Sequence, residues 1–275
     1  MADKPLAGRV AVVAGASRTI GMGAAVELGA AGAYVYALGR TLKPGSGEAK
    51  GSLSETLAQI RALGGDGEAV VCDCTDDAAL GAAFDRVQAE RGRLDVLVNS
   101  VFSAPTLSPF IGKRFWETPA SLWHDIVDVG AGSAYWASRR AAPMLIETAR
   151  REGRTTLIVN VTGRAALVYR YNMLYGVGKA AGERMTRDMS LDLKDNNVAV
   201  VSIWPNGAAV DPPETSRYSG RAAAGLAADP AVMAKSGEHF WSADLGQAYG
   251  FTDEFGHPHL APELADYFGP EGRPA

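Results

Sequence analysis

Short, almost wholly apolar runs alternate along this chain with longer segments whose apolar positions recur at helical spacing. Runs of that kind predict strands buried on both faces, and the alternation predicts parallel strands joined by crossover helices. The pattern places strands at residues 9–14, 33–38, 68–72, 94–98, 155–161 and 198–203, with a shorter one near 239–242. It places helices at about 21–31, 53–63, 78–91, 120–151 and 172–193. The expected fold is α/β: a single-domain, Rossmann-type, doubly wound parallel sheet of about seven strands with helices on both faces. That sheet uses nearly all of residues 1–275 and leaves no linker or second domain.

Three stretches lack a period. Residues 41–52, rich in Gly and Ser, read as an insertion after the second strand, while 102–118 and 206–228 follow the fourth and sixth strands. Ligands of open α/β sheets bind outside the carboxyl ends of the strands, so the last two stretches read as walls of a substrate pocket.

Composition narrows the function classes. The chain is 47% hydrophobic and 21% charged, an ordinary soluble balance, and its net charge of −4 gives no electrostatic reason to hold nucleic acid or an anionic membrane. No uncharged apolar run approaches the roughly 20 residues of a membrane-spanning helix. The first residues carry no export pattern, so a cytoplasmic protein acting on a small molecule is expected. Cys72 and Cys74 stand too close in sequence for an easy disulfide and read as buried strand-end residues. His124, His239, His257 and His259 form no metal-ligand cluster with them, and the last two read as solvated.

Candidate chemistry sits in two places. Gly15-Ala-Ser-Arg-Thr-Ile-Gly21-Met-Gly23 lies between the first strand and first helix, where bare backbone N–H groups and a positive helix end can hold a pyrophosphate. After the second strand, Gly39-Arg40 offers a guanidinium that would pair with a ribose 2′-phosphate, whereas a carboxylate there would favour the free hydroxyl. Tyr175-Gly-Val-Gly-Lys179 puts a phenol and an ammonium at i and i+4, on one helix face. The positive charge favours phenolate, which would draw the phenol's pKa toward neutrality and make it a usable acid and base.

Together these motifs resemble the short-chain dehydrogenase/reductase family over nearly the whole chain. Phe115-Trp-Glu-Thr-Pro-Ala-Ser-Leu-Trp123 and the Tyr175–Lys179 segment are most similar to the dehydrogenase/reductase member one branch and its bacterial relatives. The resemblance implies a G-x-x-x-G-x-G loop in which Gly15 and Gly21 are kept and Thr19 replaces the middle glycine. It implies NADP(H), because Arg18 matches the NADP-preferring members, with cofactor contacts from Gly15, Ser17, Arg18, Ile20, Gly21, Arg40, Asp73, Cys74, Asn99, Lys179 and Pro205. Asp73 matches the residue at the adenine, and Asn99 is the only residue kept from an Asn-Asn-Ala-Gly motif.

For the catalytic group the resemblance implies Tyr175 and Lys179, with Asp128 in the usual asparagine's place. The usual serine falls on Thr162 counted back from Tyr175, or on Gly163 counted forward from Asn160; Thr162 is taken provisionally, with Tyr169, Tyr171 or water as other ways to fill the gap. Val210 stands where a threonine often meets the carboxamide. The expected activity interconverts a carbonyl and an alcohol on an apolar molecule, given Phe102, Phe110, Phe115, Trp116, Trp123, Tyr169 and Tyr218 in or beside the pocket stretches. Alternatives are non-redox proton chemistry by Tyr175 and Asp128, or a non-catalytic nucleotide-binding subunit. A homodimer or homotetramer through helices 120–150 and 172–193 is also implied.

Overall fold

A computed structural model describes residues 4–46, 50–206 and 212–262. One parallel sheet takes β1 (Val10–Ala14), β2 (Tyr34–Gly39), β3 (Asp66–Val71), β4 (Val96–Asn99), β5 (Thr156–Val161), β6 (Val198–Trp204) and β7 (His239–Trp241), in the order β3-β2-β1-β4-β5-β6-β7. Side chains alternate across it. Ala11 and Val13 join one core with Leu28, Ile60 and Leu226, whereas Val10 and Val12 join another with Leu80, Phe84 and Leu145. Both faces are therefore dry, as the apolar run of β1 and that of β6, interrupted only by Ser202, require.

The covering helices are α1 (Thr19–Ala30), α2 (Leu53–Ala62), α3 (Asp77–Arg91), α6 (Ser133–Glu152), α7 (Met173–Leu193) and α8 (Ser216–Ala228). Short helices α4 (Ala104–Leu107), α5 (Ser121–Trp123) and α9 (Ser242–Tyr249) complete the set named here. Ala14 of β1 pairs with both Leu38 of β2 and Asn99 of β4, so the loops after these strands emerge side by side where the strand order reverses. Asn99 also pairs with Asn160, which brings the end of β5 to the same level. That shared rim is the crevice in which an open sheet binds ligands.

Four expectations are corrected. Residues 121–152 do not form one regular α-helix: a π-helical stretch, His124–Gly132, joins α5 to α6. Residues 102–118 hold α4 and two 3₁₀ turns, Ser108–Phe110 and Phe115–Glu117. In 206–228, Asn206 lines the cavity beside Tyr175, and the rest of the described part is largely α8, which packs on α1. A Cβ on Gly23 would lie 1.9 Å from the Ser216 carbonyl oxygen, and one on Gly220 2.2 Å from that of Gly23, so the two backbones are in contact. Glu27 of α1 binds Arg217 at 2.6 Å across the same seam. Finally, His259 is 3% exposed. It faces Asp253 at 3.3 Å and packs edge-on to Tyr218.

Candidate active site

The loop after β1 is held open by its neighbours. Gly15 has φ +83°, and a Cβ there would lie 2.7 Å from the Ser100 carbonyl; a Cβ on Gly21 would lie 2.2 Å from that of Gly15. Only glycine fits at both positions. Thr56 of α2 donates to the Ala16 carbonyl at 2.8 Å, and Gly51, from the insertion after β2, touches the Ser17 and Arg18 backbone. Thr19 keeps the left-handed backbone of the glycine it replaces, φ 44°, which costs about 1 kcal/mol in a residue with a Cβ. Arg18 makes no side-chain cap hydrogen bond to α1 and the first turn carries no acidic residue, so the helix N-terminus faces the crevice uncapped.

A cavity of about 110 Å³ lies against this loop, lined by Gly15, Ser17, Arg18, Arg40, Asp73 and Cys74 among others. Cys72 and Cys74 are both buried here as free thiols. Against the upward pull of burial, the Thr75 N–H and hydroxyl hold the Asp73 carboxyl below the usual carboxylate range, and Arg40 helps from 3.9 Å. Arg40 is 66% exposed, so its guanidinium can turn from that carboxylate to another anion.

Thr19, Ser100, Val101 and Phe102 also border a second cavity of about 320 Å³. Ile20, Tyr175, Lys179 and Pro205 face it, together with Gly163, Arg164, Arg170 and Tyr171. Asn172 caps α7 by accepting from the Tyr175 N–H at 3.0 Å, and it donates to the Phe110 carbonyl at 3.3 Å. Tyr171, at φ 61°, lays its ring 5.0 Å from that of Tyr175, and Phe102 meets Tyr175 edge-on at 5.6 Å. Lys179 donates to the Val161 carbonyl at 3.2 Å.

The electrostatics differ from the sequence expectation. Burial, with Tyr171 beside it, pushes the Tyr175 phenol up to about 12, and the opposing cations are Arg170 and Arg164, not Lys179. Burial brings the Lys179 ammonium down to about 8, with Glu183 one turn along α7 resisting the shift. Tyr175 is therefore a neutral phenol at neutral pH, in the form that can donate a proton. Arg164 falls to about 10 through burial and the nearby charge of Arg170. These two arginines and Glu183 were not singled out from sequence: the arginines lie between β5 and α7, where no period marks them, whereas Glu183 continues the i, i+4 spacing of Tyr175 and Lys179 along α7.

Three expected site residues are placed otherwise. The Thr162 hydroxyl is taken up by Glu183 and Ser202, and Glu183 also accepts from Trp204 Nε1 at 2.6 Å. Thr162 thus fastens β5 to α7 and β6 through its hydroxyl, while the residue also lines the cavity. Gly163 opens on the same cavity, where a Cβ would meet nothing within 4 Å. Asp128 is 53% exposed, binds His124 at 3.1 Å and lines none of the cavities described here, because the π-helical stretch turns it outward. Asn99 is a brace: its amide donates to Ser138 and Asn160, each at 2.9 Å, and it lines only a smaller cavity of about 40 Å³ behind Tyr175 and Lys179. Of the aromatic residues, Phe102 lines the main cavity. Phe110 packs behind it, Tyr218 is a buried residue of α8, and Phe115, Trp116, Trp123 and Tyr169 are exposed. Gly207 and Val210 lie outside the described residues.

A glycine-built anion loop at a strand-order reversal, opening onto a Tyr–Lys pair four residues apart, matches a known family. The family model for short chain dehydrogenases fits residues 9–217, and the chain belongs to that family. Its relatives include dehydrogenase/reductase SDR family member 1 of Homo sapiens, 34% identical over 281 residues, which cover 92% of this chain and 86% of the relative. The 7alpha-hydroxysteroid dehydrogenase of Escherichia coli K12 is 27% identical, covering 75% of this chain and 73% of its own. Among solved structures, a metagenomic short-chain oxidoreductase in complex with NADP matches with TM-score 0.68 and 26% identity over 82% of this chain and 92% of its own. An NADH-dependent reductase complexed with NAD matches with TM-score 0.74 and 19% identity, covering 87% and 96%, a likeness of fold. Among the described residues, no helix is long and apolar enough to cross a membrane.

Proposed function

We propose that this protein is an NADP(H)-dependent oxidoreductase that interconverts a carbonyl and an alcohol on a largely apolar small molecule. The observation that carries this is continuity: Thr19, Ser100, Val101 and Phe102 belong to both cavities, so the anion loop and the Tyr175–Lys179 pair face one cleft. The residues present suit a dinucleotide. Gly15 and Gly21 leave a cradle that a Cβ would fill, the α1 N-terminus is uncapped, and Asp73, Cys74 and Arg40 line the far end. Neighbours in the family carry NAD or NADP, so the preference for NADP(H) rests on Arg18 and Arg40, two cations where a 2′-phosphate would lie.

When bound, the nicotinamide exchanges a hydride with the substrate carbon. Tyr175 holds the matching proton on its hydroxyl and gives it to the carbonyl oxygen in reduction. Lys179, braced on the Val161 carbonyl, would hold the ribose with its remaining donors and keeps its ammonium beside the phenol ring, 5.7 Å away. Phe102, Tyr171 and Ile20 shield that proton transfer from bulk water. The outward position of Asp128 takes away the partner that non-redox proton chemistry by Tyr175 would need. The same proposal makes the chain one dinucleotide-binding domain in the cytoplasm. It also makes it a homodimer or homotetramer, with exposed Trp123, Tyr135 and Trp136 as the apolar surface for a second copy.

Fluorescence titration tests the cofactor assignment. Arg40→Ala is expected to weaken NADPH binding by about tenfold or more and leave NADH binding within about twofold. Equal loss for both dinucleotides would refute the 2′-phosphate role.

A further inference from the structure

We propose that the rim of the Tyr175 cavity docks on an anionic lipid bilayer, from which an apolar substrate enters the cleft. The cleft is that of the preceding section, on which this rests; docking itself needs neither cofactor nor turnover. Two segments build the rim. The Gly112 N–H donates to the Tyr171 carbonyl at 2.7 Å and the Asn172 amide to the Phe110 carbonyl at 3.3 Å, which straps residues 110–112 to 171–172. Arg170 and Tyr171 line the cavity, so the strap lies at its mouth.

Along these segments Ile111, Phe115, Trp116, Leu167, Tyr169 and Met173 are exposed, from 38% at Met173 to 65% at Trp116. Large apolar side chains gathered on one surface mark a place that meets a partner. Cations stand among them. Lys113 and Arg114 are exposed, the Arg114 guanidinium lies 5.5 Å from the Trp116 ring, and that of Arg170 lies 5.0 Å from the Tyr171 ring. Within residues 108–117 and 165–173 these three cations meet one acid, Glu117, whose carboxylate accepts from the Arg114 N–H at 2.8 Å. The net charge of −4 belongs to the whole chain and leaves this local excess of cations in place. A bilayer with anionic headgroups fits both features. Trp and Tyr rings settle at headgroup level, Lys and Arg reach the phosphates, and aliphatic tips enter the acyl boundary. Exposed Trp123, Tyr135 and Trp136 belong to α5 and α6, not to these segments, and stay free for a second copy. Seating the rim brings the cavity mouth against lipid, so an apolar molecule dissolved there reaches Tyr175 without passing through water.

The test is cosedimentation of the full chain, without cofactor, with vesicles of phosphatidylcholine alone or mixed equally with phosphatidylglycerol. Wild type is expected to bind the mixed vesicles at least about tenfold more tightly than the neutral ones, and less tightly as salt rises, since each cation near an anionic surface contributes about fivefold. Lys113→Glu combined with Arg114→Glu should remove that preference. Leu167→Asp should weaken binding to the mixed vesicles by about tenfold or more. Leu191→Asp, at a 70% exposed position of α7 outside the cavity lining, should bind as wild type does. Thermal unfolding of each variant shows that it is folded; should Leu167→Asp fail to fold, Trp116→Ala makes the same comparison. Wild type that stays in solution with both kinds of vesicle would overturn the proposal, and so would equal binding to both. Leu167→Asp binding as tightly as wild type, or Leu191→Asp losing as much, would also overturn it. Loss of a dimer in Leu167→Asp, with no vesicle binding by wild type, would give the rim to a second copy instead. Docking by a chain that reduces no carbonyl compound would uphold the surface and refute the chemistry of the preceding section.

Discussion

Thr162 and Gly163 are the two positions at which the usual serine could fall. Adjacent residues at a strand end point to opposite sides, so sequence spacing alone offered both, and only packing separates them. Thr162 turns to Glu183 and Ser202, while Gly163 faces the cavity with open space where a Cβ would go. Gly163→Ser is therefore expected to place a hydroxyl beside the Tyr175 cavity and raise kcat/KM for a carbonyl substrate about tenfold. Its φ of +156° lies at the edge of what a side chain accepts, so Tm should fall by a few degrees. A parallel loss of activity and stability would contradict the placement. Glu183 acts at one remove from the reaction. Its carboxylate resists the downward shift of Lys179, so Glu183→Gln should lower the Lys179 titration point from about 8. Activity that needs the ammonium falls as pH rises through that point, and in the variant this fall should begin at a lower pH. A pH profile of kcat/KM checks it; an unmoved alkaline limb would show that Glu183 only ties α7 to β6.

At the level of elements, the strands and most helices were legible because buried parallel strands and amphipathic helices have distinct periods. The register that levels Ala14, Leu38 and Asn99 follows from that pattern. The π-helical stretch was not legible: its residues, His-Asp-Ile-Val-Asp-Val-Gly-Ala-Gly, carry the apolar spacing of an ordinary helix. It is why Asp128, counted into the site by alignment, faces solvent. Gly23 gives the opposite lesson. In sequence it sits with the phosphate-loop glycines, whereas in the fold it is where α1 and α8 touch, and no local signal announces a partner nearly two hundred residues away. Gly23→Ala should drive a methyl group into the Ser216 carbonyl and cost about 2–3 kcal/mol in denaturant unfolding. Gly130→Ala, where a Cβ meets nothing within 4 Å, should change stability by less than about 0.5 kcal/mol. Comparable effects of the two would mean that the α1–α8 seam is looser than described.

For the molecule as a whole, the sheet delivers the Gly15–Gly21 loop, the Tyr175 phenol and a pair of guanidiniums to one rim from segments far apart in the chain. Gly15, Arg40, Tyr175 and Lys179 could be found in sequence because motif spacing marks them; Arg164 and Arg170 could not, because only the closed fold gives them a common cavity. What unites them is a Tyr175 hydroxyl kept neutral at physiological pH by its buried surroundings. The most direct test compares NADPH oxidation by wild type and Tyr175→Phe with an apolar ketone that the wild type reduces, with cofactor binding to both measured in parallel. The expected result is unchanged NADPH affinity and a loss of about 10²–10⁴ in turnover, the range for removing a general acid. Undiminished turnover in Tyr175→Phe would contradict the assignment of the proton donor.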